Sequence, residues 1–301
     1  MYDRLLVPLD GSRLAEAVLP VVERLAPLYG ATAVLLHVLE RGAPAAVHGQ
    51  RHLTAMPEAT AYLEGVAGRL RAQGITVETH PHEVPEGDVA RSIAAHAPEE
   101  RADLIVLSTH GSGGLRDLLY GSIAQQVLKR GAVPVLLARP APDGSAPPFD
   151  PHRLLVPLDG TAAAEAALGP AEDLSRRLNA VLHLVMVVAT SGTVRGEQQA
   201  VAQALPTATR IELELQEAEA RDYLEDVAGR LRSGGVAVTT EVRRGDTPSA
   251  LADEAAEPGV GLVVVATHGR VGVQAIWTGS VTARLLSRTR APLLLLRMVE
   301  T

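Results

Sequence analysis

The run Arg4-Leu5-Leu6-Val7-Pro8-Leu9-Asp10-Gly11 returns letter for letter as Arg153 to Gly160, 149 positions later. Two further segments return as well. Tyr62-Leu63-Glu64 with Val66-Ala67-Gly68-Arg69-Leu70-Arg71 recurs at Tyr223 to Arg232, an offset of 161. Thr109-His110-Gly111, nine residues and Gly121-Ser122 recur as Thr267-His268-Gly269, nine residues and Gly279-Ser280, an offset of 158. A chain of 301 residues that spells one plan twice is constrained to a fold that can be built twice. The drift in offset places about twelve extra residues between the second strand and second helix of the second half, and about three fewer near its third strand. Loops absorb such changes while the elements around them keep register.

Between the copies, Arg139 to Pro151 contains five prolines besides Gly144, a density that prevents a regular helix or central strand. We therefore expect a first domain over 1–140, a stiff linker over 141–151 and a second domain over 152–301. Within the first half, short apolar runs predict strands near Leu5–Leu9, Ala33–Leu39, Thr76–His80, Leu104–Leu107 and Val133–Ala138. Helical periodicity predicts helices near Arg13–Leu28, Glu58–Gln73, Asp88–Ala97 and Ser122–Arg130. The second half repeats the pattern, with strands near Leu154–Leu158, Val181–Val188, Ala237–Val242, Leu262–Val265 and Leu293–Arg297. Continuous apolar strands alternating with helices imply an α/β fold: a parallel sheet covered on both faces.

Composition narrows the function. A net charge of −7 argues against a general nucleic-acid or anionic-membrane surface. Without cysteine there is no disulfide, thiolate catalysis or zinc–thiolate site. Met1-Tyr2-Asp3-Arg4 leads straight into a strand, and no apolar run approaches spanning length, so we expect a cytoplasmic protein.

In a doubly wound sheet, ligands settle at the carboxyl ends of strands where the strand order reverses. Each glycine-rich segment follows an apolar strand and leads into a helix. Backbone N–H groups and the helix dipole there make a ready phosphate site. If the first and fourth strands are neighbours, Asp10 and Asp159 can accept hydrogen bonds from a ribose or base edge. The alternative for both is an N-cap or Asx-turn, and Ser122 and Ser280 also read as N-caps. His110 and His268 read chiefly as turn residues. No Gly-Lys-Ser/Thr occurs, which removes the lysine that counters phosphate charge in P-loop enzymes. His48 and His52 have helical metal-ligand spacing but no third ligand, and His80-Pro81-His82 fares no better.

These motifs, with Pro134-Val135-Leu136-Leu137 and Pro292-Leu293-Leu294-Leu295, resemble the universal stress protein family in both halves. The resemblance implies two tandem Rossmann-like domains, each a five-stranded parallel sheet in the order 3-2-1-4-5. Its ATP-binding branch carries Gly, two residues, Gly, nine residues, Gly and Ser or Thr. By that likeness, Pro8, Leu9, Asp10 and backbone near Val38 hold adenine and ribose, while Gly111, Gly121, Ser122 and the amide of Ile123 hold phosphates. The matching second-half positions are Pro157, Leu158, Asp159 and Val187, then Gly269, Gly279, Ser280 and Val281. Both halves depart at the first glycine, which is Ser108 in one and Ala266 in the other, where a Cβ crowds the approach to a ligand. Arg270 adds a phosphate contact or is a solvated loop residue. The two sites are therefore expected to differ in affinity.

The implied cofactor is ATP or another adenine nucleotide with magnesium, in a stress-response sensor rather than a fast enzyme. The alternatives are an interaction module without nucleotide and a slow ATPase. The family's habit of pairing last strands suggests an intramolecular pseudo-dimer joining Val133–Ala138 to Leu293–Arg297, and a homodimer beyond it. The second-half insertion, including Glu212 to Arg221, reads as a lid or a dimer contact.

Overall fold

The computed structural model describes residues 1–40, 46–47, 50–51, 53–84, 89–109, 122–131, 133–141, 143–194, 196–268, 285 and 288–298. They form two compact units, one of Met1–Asp150 with the segment carrying Leu293–Met298, the other of Pro151–Ala291. In the first unit β1 (Arg4–Pro8) leads through a 3-10 turn (Ala15–Val18) into α1 (Leu19–Tyr29) and β2 (Thr32–Glu40). A two-residue hairpin, β3 (Ala46–Val47) and β4 (Gln50–Arg51), precedes α2 (Met56–Arg71), β5 (Thr76–Val84), α3 (Val89–Glu99), β6 (Leu104–Ser108), α4 (Ser122–Arg130) and β7 (Val135–Ala138). The sheet order β5-β2-β1-β6-β7, parallel throughout, is the expected 3-2-1-4-5.

The second unit repeats this with β8 (Arg153–Pro157), α5 (Ala162–Glu165), α6 (Leu168–Leu178), β9 (Val181–Val188), α7 (Glu197–Ala204), α8 (Pro206–Ser233), β10 (Val238–Arg244), α9 (Thr247–Ala255) and β11 (Val260–His268). Its parallel order is β10-β9-β8-β11. The last described strand, β12 (Leu293–Met298), belongs by its contacts to the first unit, where Leu293, Leu294 and Leu295 lie antiparallel to Leu137, Leu136 and Val135. The strand ranges foreseen for this pairing thus do pair, and β12 covers the edge that β7 would otherwise expose.

Burial explains the patterning. Leu5, Leu6 and Val7 on β1 and Leu154, Leu155 and Val156 on β8 are all fully buried, as strands covered on both faces require. A buried imidazole is tied to the backbone: the His37 Nδ1–H of β2 donates to the Leu9 carbonyl at 2.7 Å. Helix α1 ends at Gly30 with φ of 63°, and α6 ends at the equivalent Asn179 with φ of 54°. Asparagine is the residue after glycine that best tolerates this left-handed cap.

Three local expectations needed revision. The helix foreseen over Arg13–Leu28 opens as a 3-10 turn and becomes α-helical only at Leu19, with Pro20 in its first turn. Strand β5 runs past His80 through Pro81 to Val84, which an edge position permits because the missing N–H faces no neighbour. The second-half insertion is helical: α8 has 28 residues against 16 in α2. Among the described residues no helix is long and apolar enough to cross a membrane.

Gly261 sits in a bulge where β11 slips against β8 between Val260 and Leu262, and a Cβ there would fall on the backbone of Pro151. Gly261→Ala should therefore lower stability by about 1–3 kcal/mol in chemical denaturation of the full chain. At the α6 cap, Asn179→Ala should cost about 1 kcal/mol and Asn179→Gly almost nothing, read the same way.

Candidate functional site

Strands β1 and β6 are direct neighbours, with Leu5 opposite Leu104 and Leu6 opposite Ile105. The chain steps outward from β1 to β2 and β5 on one side, then returns to β6 on the other, so the order reverses between β1 and β6. The β8–β11 pair, with Leu154 opposite Leu262 and Leu155 opposite Val263, is the same reversal in the second unit. Asp10 and Ser108 therefore flank one switch point, and Asp159 and Ala266 flank the other.

Both aspartates shape the turns in which they sit. Asp10 Oδ1 accepts from the Ser12 amide at 2.8 Å, and Ser12 Oγ accepts from the Ala15 amide at 3.0 Å. Asp159 Oδ1 accepts from the Thr161 amide at 3.0 Å and the Thr161 hydroxyl at 2.6 Å, while Thr161 caps α5 through the Ala164 amide. The Asx-turn reading is thus realised in each copy. Asp159 is exposed, with both turn bonds on one oxygen; Asp10 is half-buried.

The residues before them are scaffold. Leu9 and Leu158 are buried, and their amides bond the carbonyls of Leu36 and Val185, each at 2.8 Å. Pro8 and Pro157 are half-buried at the strand ends. Val38 is buried near the end of β2, and Val187 is half-buried at the same place on β9. Ser108, buried at the end of β6, donates its hydroxyl to the Leu14 carbonyl at 2.6 Å, tying the strand end to the loop after β1. Ala266 is half-buried and has no hydroxyl to make such a tie. Ser122 and Ile123 open α4. His110, Gly111, Gly121, Gly269, Arg270, Gly279, Ser280 and Val281 lie outside the described residues.

Each turn is braced by a repeated trio that the sequence reading passed over. Tyr223 donates to Glu165 Oε1 at 2.9 Å, and Arg230 donates to Glu165 Oε2 at 3.2 Å. In the first unit Arg69 donates to Glu16 at 2.5 Å, beside Tyr62. Burial first, then the adjacent glutamate, pushes both tyrosine hydroxyls well above their ordinary range, and the Asp10 and Asp159 charges add to it. Tyr62 and Tyr223 lie in the repeat at offset 161, so the signal was present in the chain. A separate cleft of about 420 Å3, lined by Glu241, Arg243, Asp246, Ser249 and Asp253 among others, opens at the end of β10, away from the strand reversal. Two clusters bring three possible metal-ligand atoms within 4.8 Å of one another: His80, His82 and His96 in the first unit, and His183, Glu241 and Glu254 in the second.

Comparison with known proteins agrees with this arrangement. The universal stress protein family profile matches residues 1–139 and again 151–297. A universal stress protein of Mycolicibacterium smegmatis is 27% identical over 309 residues, covering 97% of this chain and 96% of its own. One from Synechocystis is 32% identical over 138 residues, covering 46% of this chain and 85% of its own. A crystal structure of a universal stress protein from Archaeoglobus fulgidus superposes with a TM-score of 0.69 at 19% identity, covering 99% of this chain and 97% of that one, which speaks for the fold alone. With the duplicated switch point and two successive profile matches, the chain belongs to the universal stress protein family and carries two family domains in tandem.

Proposed function

We propose that this chain is an adenine-nucleotide-binding regulator of the stress response, holding ATP or a related nucleotide with magnesium at its switch points as a signal rather than turning it over rapidly. The observation that carries this is the parallel pairing of β1 with β6 and of β8 with β11, which sets an aspartate turn beside the strand end leading into each glycine-rich segment. Asp10 and Asp159 accept ribose hydroxyls, and the segments from Gly111 to Ile123 and from Gly269 to Val281 receive the phosphates. Magnesium-bound phosphates bring the charge that backbone donors and the helix N-termini recognise.

The residues fit a nucleotide better at the second site. There Asp159 is exposed, Ala266 is the smaller intrusion and Arg270 adds a cation next to Gly269. At the first, Ser108 places both a Cβ and an engaged hydroxyl at the strand end. That same bond favours a second reading, an interaction module whose first pocket is closed. Cytoplasmic residence and a homodimer belong to the proposal as well.

Calorimetric titration of the folded chain with ATP and magnesium should reveal a tighter site abolished by Asp159→Ala and a weaker one abolished by Asp10→Ala. Ser108→Gly should strengthen the weaker site while costing about 1 kcal/mol of stability, since the Leu14 bond is lost. Absence of heat in the parent chain, with folding verified by circular dichroism, would select the interaction module instead.

A further inference from the structure

The two units place different chemistry at one location. Strand register puts His80 opposite Leu36 and His82 opposite Val38 in the first unit, and Glu241 opposite Val185 and Arg243 opposite Val187 in the second. Leu36 and Val185, like Val38 and Val187, are repeat partners, so His80 corresponds to Glu241 and His82 to Arg243. At the offset of the following helix, His96 on α3 corresponds to Glu254 on α9.

In the second unit the location is closed by a protein cation. Arg243 pairs with Glu241 at 2.9 Å and with the buried Glu254 at 3.4 Å, and Glu254 also meets His183 Nε2 at 2.9 Å. The guanidinium thereby fastens edge strand β10 to α9.

In the first unit the described residues at the corresponding positions are all histidines. Three imidazoles converge instead, with ring centroids 4.8 Å apart for His80 and His96, 4.4 Å for His82 and His96, and 6.0 Å for His80 and His82. One ring nitrogen from each lies within 4.8 Å of the others. Period-two alternation sends His80 and His82 to the same face of β5. Two of the three rings have partners behind them. His96, buried, has Nδ1 2.7 Å from the Ser92 carbonyl, so Nδ1 carries the proton and Nε2 the lone pair. His80 Nδ1 lies 3.0 Å from Glu100 Oε1, and Glu100 is itself held by Arg4, which also grips Glu78 at 2.6 Å. A carboxylate behind a histidine is the arrangement that orients an imidazole for a metal.

We propose that His80, His82 and His96 form a binding site for a divalent transition-metal ion of the zinc class, which fastens β5 to α3 as Arg243 fastens β10 to α9. Three imidazole nitrogens suit zinc, and an open fourth position is left for water or for Glu99, whose carboxylate is 3.9 Å from His96 Nε2. With metal–nitrogen distances of about 2.0–2.1 Å, the ligand atoms must close to roughly 3.3 Å, a movement within reach of the partly exposed His80 and His82 side chains.

The test uses the full chain, stripped with chelator and free of nucleotide. Zinc titrated at pH 7.5 should bind with one equivalent assignable to this site and raise the melting temperature; cobalt should give the visible absorption of a tetrahedral nitrogen-ligated centre. His82→Gln, which removes a partly exposed ligand, should weaken binding by at least the roughly 10–100-fold that loss of a supporting residue costs and abolish the thermal shift, while leaving the metal-free melting temperature close to the parent's. Ser92→Ala, which spares the backbone carbonyl holding His96, should bind normally. No zinc binding by the folded parent overturns the proposal, and so does binding that His82→Gln and His96→Gln both leave intact, for the metal then sits elsewhere. These outcomes are independent of whether ATP binds.

Discussion

The parallel contact between β1 and β6 is the constraint on which the rest of each unit depends. Leu5 and Leu6 against Leu104 and Ile105, all fully buried, join strands that are about a hundred residues apart in sequence. Only this pairing brings the Asp10 turn next to the Ser108 strand end, and only its counterpart between β8 and β11 does so for Asp159 and Ala266. The turns are held by short local bonds, but their mutual position comes from the sheet. A change in the sheet centre would displace both sides of the crevice together, whereas a change in either turn would move one side alone.

Duplication lets one copy act as a control for the other. Asp103, whose carboxylate accepts from the amides of Asp3 and Arg4 at 2.8 and 3.0 Å, secures the start of β6 against β1; the matching Gly261 sits in a bulge. Gly30 and Asn179 reach the same left-handed cap by different means. The Tyr–Glu–Arg trio is retained in both. At the helix cap and in the trio the two halves reach equivalent solutions. At β5–α3 and β10–α9 they do not, and the contrast between three imidazoles and a carboxylate–guanidinium pair is a change of chemistry rather than of packing.

Much of the fold was legible in the chain, because strands buried on both faces must be written as apolar runs and a duplicated sequence fixes their correspondence. Strand order followed from the family resemblance and was met in the first unit. The Asx-turn at Asp10 and Asp159 was open to sequence reading because its bonds are local. His96 was not: it lies sixteen residues from His80, and stopping β5 at His80 took His82 off the strand on which the two share a face. Pro81 caused that error, since proline reads as an end unless the strand is known to be an edge. Ser108 was read as a crowding Cβ, but its bond to Leu14 spans 94 residues and depends on tertiary structure.

The pairing of β12 with β7 bears on how the chain is made. Val135, Leu136 and Leu137 leave the ribosome long before their partners Leu293, Leu294 and Leu295, which follow a whole second unit later in the chain. Through the synthesis of everything between them, the first unit carries an unsatisfied apolar edge, and an open edge of that kind recruits whatever strand arrives first. The interval is a window for strand exchange between neighbouring nascent chains, and Leu293 to Leu295 are the residues that close it.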